Sequence, residues 1–327
     1  MIVITTPTGD IGSQVLNNLL NNLLDSAPSS GETPGGETAG GEAAGGEKLR
    51  VIVRDPAKLP GSVRDRVDVV VGSHGDADTV DRAFAGADAV FWVIPPDPQA
   101  PSLEAAFSGF TRVAARAFTA HGVKHVVGVS ALGRGTPVAG RAGLVTASLA
   151  MDDLIASTGV AYRALANPSF MDNVLRQVRS IRDNGVYGGT VAADRKAPTA
   201  ATRDIAAVAT RLLLDRSWTG TDSVPVLGPE DLSANDMARV MAKVLGRPVR
   251  YERQSLEDFG AALAGYGSGP AFVEGMLDMM RAKDEGLDDG VRRTPQAAGQ
   301  TSIEQTSFEQ TTFEQWCEQV LKPAVLG

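Results

Sequence analysis

Met1–Leu20, MIVITTPTGDIGSQVLNNLL, is the stretch from which the rest of the chain can be read. MIVITT is a short apolar run with the length and β-branching of a buried strand. The segment after it places Val15, Leu16, Leu19, Leu20, Leu23 and Leu24 on one helical stripe. TPTGDIG lies between them and is too short for a wandering loop, so the strand must turn straight into the helix. Gly9 and Gly12 fall where the backbone comes closest, one at the turn and one in the first turn of the helix. Such an end offers first-turn N–H groups without internal partners and the positive end of a helix dipole, the combination that seats a phosphate. Dinucleotide-binding turns have this order but usually begin with a glycine. Here Thr6 takes that place; with Pro7 it supplies a different rigid turn, and Thr8 adds a hydroxyl beside the same anion position.

Working outward, apolar runs and amphipathic runs alternate. LRVIVRD (49–55), VDVVVGS (67–73), DAVFWVIPP (88–96) and KHVVGVSAL (124–132) read as strands. ADTVDRAFAGA (77–87) and LEAAFSGFTRVAARAFTAHG (103–122) read as helices. Apolar strands alternating with helices predict an α/β fold whose parallel sheet is covered on both faces. Right-handed crossovers make it a Rossmann-like, doubly wound sheet. Further on, helices are expected over 148–159, 169–185, 203–215, 233–246 and 255–267, and strands over 161–167, 223–228 and 248–254. This layout predicts a dinucleotide-binding domain over residues 1–155 and a smaller C-terminal α/β substrate lobe over 156–327, interleaved with the first and folded over the strand ends.

Two segments break the rhythm. Residues 26–47 are acidic and Gly-rich, repeat a five-residue unit with Glu32, Glu37, Glu42 and Glu47 in register, and carry little apolar surface to offset ordering entropy. They read as a flexible insertion between the first helix and the second strand. TSIEQTSFEQTTFEQW (301–316) also repeats every five residues. Five residues advance a helix by about 500°, so Ile303, Phe308 and Phe313 cannot share a face of one straight helix. Only the last copy has a helix start, a capping box of Thr312 and Gln315.

The chain has 327 residues, 43% of them hydrophobic, ample for a sizeable core. A formal net charge of −8 and a pI near 5.0 argue against a general nucleic-acid or membrane-surface binder. Cys317 is the sole cysteine, so an intrachain disulfide or a Cys-based zinc site cannot form; it reads as a buried small apolar side chain. With His74, His121 and His125 the only histidines, no metal site is expected. The start lacks a basic n-region, and no apolar run approaches the roughly 18 residues of a membrane span. The expectation is a soluble, cytoplasmic protein acting on a small molecule; a homodimer stays open.

The end of the second strand bears on the cofactor. Arg54 stands where NAD-preferring sites carry an acid for the ribose diol, and Lys58 follows four residues later. Two cations there favour the 2′-phosphate of NADP(H), and Asp55, one position on, does not restore the NAD pattern.

With these pieces in place, the chain resembles the NmrA-like group of atypical short-chain dehydrogenases, nearly end to end. The matching stretches are TPTGDIG, VRDPAKL, VVVGSHGDADTVDRAFAGADAVFWVIPP, GVKHVVGVSALG, ANPSFMDNV, RDIAAVA, VLGPEDLSANDMARVMAKVLGRPVRY and TTFEQW. The resemblance implies that Thr6, Thr8, Gly9, Asp10, Ile11 and Gly12 surround the pyrophosphate and that Arg54 and Lys58 hold the 2′-phosphate. It puts Ser73 and His74 near the adenine, and Ile94, Pro95 and Ser130 along the path to the nicotinamide. Asn167 and Pro168 would line the cofactor side of the junction with the substrate. Ala131, Ser169, Phe170, Met171 and Asn173 would line the substrate side. His125, opening the fifth strand, reads as a structural histidine.

Ordinary short-chain dehydrogenases carry a Tyr-x-x-x-Lys pair on the helix after the fifth strand. GRAGLVTASLAMDDLIAS has neither residue, and Tyr162, in a later strand, has no lysine four positions on. Asp152 and Asp153 read as a solvated pair or a cap, and no catalytic residue is assigned. Hydride transfer to a quinone-like, polyketide-like aromatic or enone acceptor needs no such pair, since binding geometry supplies most of the catalysis. A non-catalytic NADP(H)-sensing regulator and a non-redox tailoring enzyme on the same fold are the alternatives.

Overall fold

The computed structural model of the chain describes residues 1–25, 47–95, 97–291 and 309–327. The acidic repeat from Ser26 to Gly46, Pro96, and the Ile303 and Phe308 copies of the second repeat lie outside the described residues, as do the side chains of Leu23 and Leu24.

The amino-terminal half follows the alternation closely: β1 (Ile2–Ile4), α1 (Asp10–Asp25), β2 (Leu49–Val53), a short α2 (Gly61–Arg64), β3 (Asp68–Val71), α3 (Ala77–Phe84), β4 (Ala89–Trp92), α4 (Phe110–Ala120), β5 (His125–Ala131) and α5 (Leu144–Ala156). The long helix expected over 103–122 is α4 preceded by a π-helical stretch, Ala105–Gly109. Next come β6 (Ala161–Asn167), β7 (Ser169–Phe170), α6 (Val178–Asn184), β8 (Val186–Gly189), β9 (Ala197–Ala200) and α7 (Thr202–Leu214). Then follow β10 (Thr221–Pro225), β11 (Asp231–Leu232), α8 (Ala234–Leu245), β12 (Arg250–Arg253), α9 (Leu256–Gly265), α10 (Pro270–Asp284), α11 (Phe313–Trp316) and α12 (Lys322–Leu326).

Seven strands form one sheet in the order β10-β6-β5-β4-β1-β2-β3, every neighbouring pair parallel. The order reverses between β1 and β4, so the ligand-binding crevice of such a sheet lies off their carboxyl ends. One face is covered by α1 and α7 over Ile4, Val51, Phe91, Val127 and Leu165; the other carries Phe84, Trp92, Phe118, Met151 and Tyr162 against α3, α4 and α5. Side-chain alternation along each strand therefore feeds two cores, which is why the strands read as continuous apolar runs.

A boundary at residue 155 falls inside α5, and β6 and β10, with α7 between them, complete the sheet from beyond it. What gathers over the strand ends is smaller: a β11-β9-β7 sheet, a β12-β8 pair, and a core of Met171, Ile181, Met237, Met241, Phe313, Trp316 and Leu321. Cys317 is fully buried in that core, which pushes its thiol up to about 12. Thr312 and Gln315 form the expected capping box at the start of α11. Buried Asp204, in the first turn of α7, fastens the final segment by accepting the Thr311 N–H at 2.9 Å and its hydroxyl at 2.7 Å.

Three parts of this lobe differ from expectation. The helix expected from Ser169 is β7 followed by a 3-10 stretch, Met171–Gln177, and only then α6. β8 and β9 are too short and Gly-, Pro- and Ala-rich to show an apolar alternation. Helix α10 has a Pro270 start, yet only Gly275 and Ala282 are buried along it, so no clean apolar stripe marks it. The acidic insertion ends in an anchored residue. Glu47 pairs with the Met1 amino group at 2.6 Å and Arg216 at 2.5 Å, which draws the start of β2 beside that of β1.

Candidate cofactor and acceptor site

At the carboxyl end of β1 the chain turns within four residues: the Gly9 N–H donates to Thr6 O at 3.1 Å, and Ser13 N–H to Gly9 O at 2.9 Å. A Cβ on Gly12 would lie 1.9 Å from Thr6 O, so only glycine lets α1 start this close to the strand. Thr6 thus closes the turn with its carbonyl. Gly9 differs: its nearest neighbour to a Cβ would be Thr6 O at 3.6 Å, ordinary contact, so the protein itself leaves that side open. Thr8 and Asp10 are exposed beside it and Ile11 is buried beneath. Thr5, which the sequence reading passed over, holds the switch point together: its hydroxyl donates to Phe91 O at 3.1 Å and accepts the Val93 N–H at 3.1 Å. A polar residue ending an apolar strand was the only signal for it.

Arg54 and Lys58 are both exposed at the end of β2, and among the described residues neither has an ion-pair partner. Asp55 is committed elsewhere; its carboxylate caps the 3-10 turn Pro56–Lys58 by accepting the Ala57 N–H at 3.0 Å. The tip of β2 therefore offers two cations to a ligand, while one oxygen of the exposed Asp55 is taken up by the cap.

His74 turns away from solvent. It is 7% exposed, packs edge-on against Trp92 and Phe110 at ring separations of 5.3 and 4.9 Å, and shares a hydrogen bond of 3.0 Å between Nε2 and Val93 O. Burial lowers its pKa to about 4, partly countered by that hydrogen bond, so the ring is neutral near pH 7. It packs into the wall beyond β3 and β4 instead of presenting a charge to solvent. Ser73 accepts the Gly75 N–H at 3.2 Å, and Ile94 and Pro95 are half-buried past β4. His125 lies at the opposite end of the sheet, with Nε2 3.2 Å from Trp218 O, as expected of a structural histidine.

The tips of β5 and β6 are joined by Asn167. Its amide nitrogen donates to Ser130 O at 3.0 Å and Leu165 O at 2.7 Å, and these two carbonyls fix which way the amide points. Among the described residues the amide oxygen has no partner, although Asn167 is 4% exposed. A buried acceptor left unmade costs about 1–3 kcal/mol, so this oxygen is poised for a donor from outside the chain. The Gly12 close approach, the open side at Gly9, the two cations and this oxygen suit a phosphate-rich dinucleotide. Pro168 is buried beside Asn167, and Ser169 and Phe170 are half-buried. Met171 and Asn173 follow behind these junction residues. The 3-10 stretch sends Met171 into the lobe's core at 1% exposure and leaves Asn173 on the surface. In the adjoining cluster α10 packs Met279 against a buried core that includes Val138 and Ala142, and half-buried Ala131 packs against the same core, a neighbour the sequence reading missed with the helix.

Asp152 is a further correction. It is neither solvated nor a cap but 3% exposed between α5, β5 and β6. Its carboxyl group accepts the Ser130 hydroxyl at 2.5 Å and the Tyr162 hydroxyl at 2.6 Å, while Asp153 pairs with Arg134 in the open at 2.9 Å. The i, i+4 spacing of Ser148 and Asp152, opposite a serine near the end of β5, was the available sequence signal. Among the described residues no helix is long and apolar enough to cross a membrane.

A family model described as NAD(P)H-binding matches residues 41–216. A (4-alkanoyl-5-oxo-2,5-dihydrofuran-3-yl)methyl phosphate reductase of Streptomyces griseus is 32% identical over 270 residues, 80% of each chain. An NAD(P)H azoreductase of Xenophilus azovorans is 26% identical over 279 residues, 85% of this chain and 86% of that one. The fold is that of an NADPH-dependent quinone oxidoreductase from Escherichia coli solved with NADPH, at a TM-score of 0.70 and 23% identity, over 96% of this chain and 97% of that one.

Proposed function

Since the chain belongs to the NAD(P)H-binding family, we propose that it is an NADPH-dependent reductase of a quinone-like or conjugated enone acceptor. The observation that carries the NADPH preference is the tip of β2, where among the described residues Arg54 and Lys58 have no ion-pair partner and Asp55 caps the turn Pro56–Lys58. A guanidinium and an ammonium there match a 2′-phosphate, whereas a ribose diol would want the acid. When bound, the reduced dinucleotide supplies a hydride. The residues of this chain bind and orient it: the turn at Gly9 and Gly12 for the pyrophosphate, the β5 and β6 tips with the Asn167 oxygen for the nicotinamide end.

The acceptor class follows from what the site lacks and from the relatives. α5 carries Leu144, Ser148 and Asp152 on one face with no tyrosine or lysine, which favours acceptors whose reduction is driven by conjugation. The compounds for which the relatives are named, a butenolide phosphate and azo compounds, share a conjugated double bond that can take up a hydride.

The test is a cofactor titration with NADPH and NADH, followed by NADPH oxidation against a panel of quinones and enones. NADPH should bind more tightly, Arg54→Ala should remove most of that preference, and at least one acceptor should be reduced. Equal affinity for the two cofactors would refute the role of Arg54. Tight binding with no acceptor reduced would make the protein a cofactor sensor.

A further inference from the structure

Behind the strand tips lies a carboxyl group that the binding site does not use. Asp152 is joined by its oxygens to Ser130 and Tyr162, and Ser130 Oγ is 3.3 Å from Ser148 Oγ. Ser148 precedes Asp152 by one turn on the same face of α5. Because α5 runs back from the tip of β5 toward the start of β6, Ser148 is on the strand-tip side of the pair. Asp152, Ser130 and Ser148 therefore form one hydrogen-bonded chain, and Asn167 is held on the backbone carbonyl of its middle member, Ser130.

Resting on the reductase reading above, we propose that Asp152 stores the proton that completes the reduction and delivers it through Ser130 and Ser148. A hydride added to the acceptor leaves an electron pair on the acceptor's oxygen. When Asp152 is protonated, the 2.5 Å bond runs from its O–H to Ser130 Oγ and the Ser130 hydroxyl turns to Ser148. Ser148 then gives the acceptor oxygen its hydroxyl proton, takes one from Ser130, and Ser130 takes the proton of Asp152. One hydride and one proton enter the acceptor, NADPH leaves as NADP⁺, and Asp152 is left as a carboxylate. Water on the side of Arg134, whose guanidinium is 3.8 Å from the carboxyl and half exposed, restores the proton. Ser148 touches the acceptor in this scheme; Asp152 is a positioning residue that acts through it.

The surroundings of Asp152 suit a group that changes protonation. Burial raises its pKa to about 6, against the hydrogen bonds from Ser130 and Tyr162 and the charge of Arg134, with a small upward push from Asp153. The charged and titratable groups facing it are thus Tyr162 from β6, Arg134 from the loop after β5, and Asp153 beside it on α5. Tyr162 is not the donor. It is fully buried, its pKa is pushed well above the ordinary value by burial and by Asp152, and it lies under Gly128, where a Cβ would meet its hydroxyl at 2.4 Å.

The experiment follows quinone reduction at saturating NADPH against pH for the wild type, Asp152→Asn, Ser148→Ala and Tyr162→Phe. NADPH affinity is read by fluorescence, and the carboxylic acid band of Asp152 by infrared difference spectroscopy between wild type and Asp152→Asn. The wild-type kcat should fall by close to tenfold per pH unit above the inflection, and the infrared band should vanish over the same range. Asp152→Asn and Ser148→Ala should lower kcat by about a hundredfold with flattened profiles and bind NADPH within twofold of wild type. Tyr162→Phe should move the inflection to higher pH, because the lost hydrogen bond favoured the carboxylate. A flat wild-type profile, or Asp152→Asn with wild-type kcat, would overturn the relay while leaving the reductase reading intact. A wild type that binds NADPH and reduces nothing would take both down.

Discussion

His74 and Asp152 are buried groups of opposite charge type, and burial drives each toward its neutral form. Their effects on stability therefore run in opposite senses. The His74 pKa falls from 6.5 to about 4, so its contribution is present above pH 6.5 and is lost as pH falls through 4. The Asp152 pKa rises from 3.8 to about 6, so its contribution is full below 3.8 and is lost as pH rises through 6. Between pH 6.5 and 4.5 each amounts to about 2 kcal/mol, and in the wild type the two largely offset. Urea unfolding of the variants should separate them. On acidification across that window, Asp152→Asn should lose about 2 kcal/mol relative to the wild type, and His74→Gln should gain a similar amount. Variants that both track the wild-type pH curve would mean that neither group is shifted.

At the scale of the element, the β1–turn–α1 unit joins two demands on glycine that the sequence alone shows as one pattern. Gly12 is required by the protein, since a Cβ would sit 1.9 Å from a backbone carbonyl, whereas Gly9 has room for one within the protein. Gly12→Ala should displace α1, destabilise by about 1–3 kcal/mol and abolish NADPH binding. Gly9→Ala should fold with near wild-type stability yet bind NADPH at least tenfold more weakly, because its Cβ would intrude only on the ligand. Calorimetric titration paired with thermal melts distinguishes the two. Unchanged affinity in Gly9→Ala would mean that the turn does not cradle the pyrophosphate.

At the scale of the molecule, β6, α7 and β10 come from the second half of the chain yet complete the first sheet, and Asp204 on α7 grips Thr311 of the final segment. These links predict one cooperative unfolding transition for lobe and sheet together. NADPH at a hundredfold its Kd should add about 2.7 kcal/mol and raise Tm by roughly 4 °C, the whole transition moving together. NADH at the same concentration should raise it less. Two separable melts, only one of them shifted by NADPH, would show that the lobe unfolds on its own.

What was legible in the sequence is what depends on neighbours along the chain. The alternation of apolar strands and helices, the two-glycine turn, the cations at Arg54 and Lys58, and the Thr312–Gln315 cap are all local, set by periodicity, sterics and capping within a few residues. Tertiary structure alone decided whatever depends on residues brought together from afar: the burial of Asp152 by Ser130 and Tyr162, the inward turn of His74 onto Phe110, the diversion of Met171 into the lobe's core, and the seating of α10 beside Ala131. Burial, and the pKa values and orphaned hydrogen-bonding atoms that follow from it, are properties of a surrounding volume, and a linear pattern does not encode which distant side chains fill that volume.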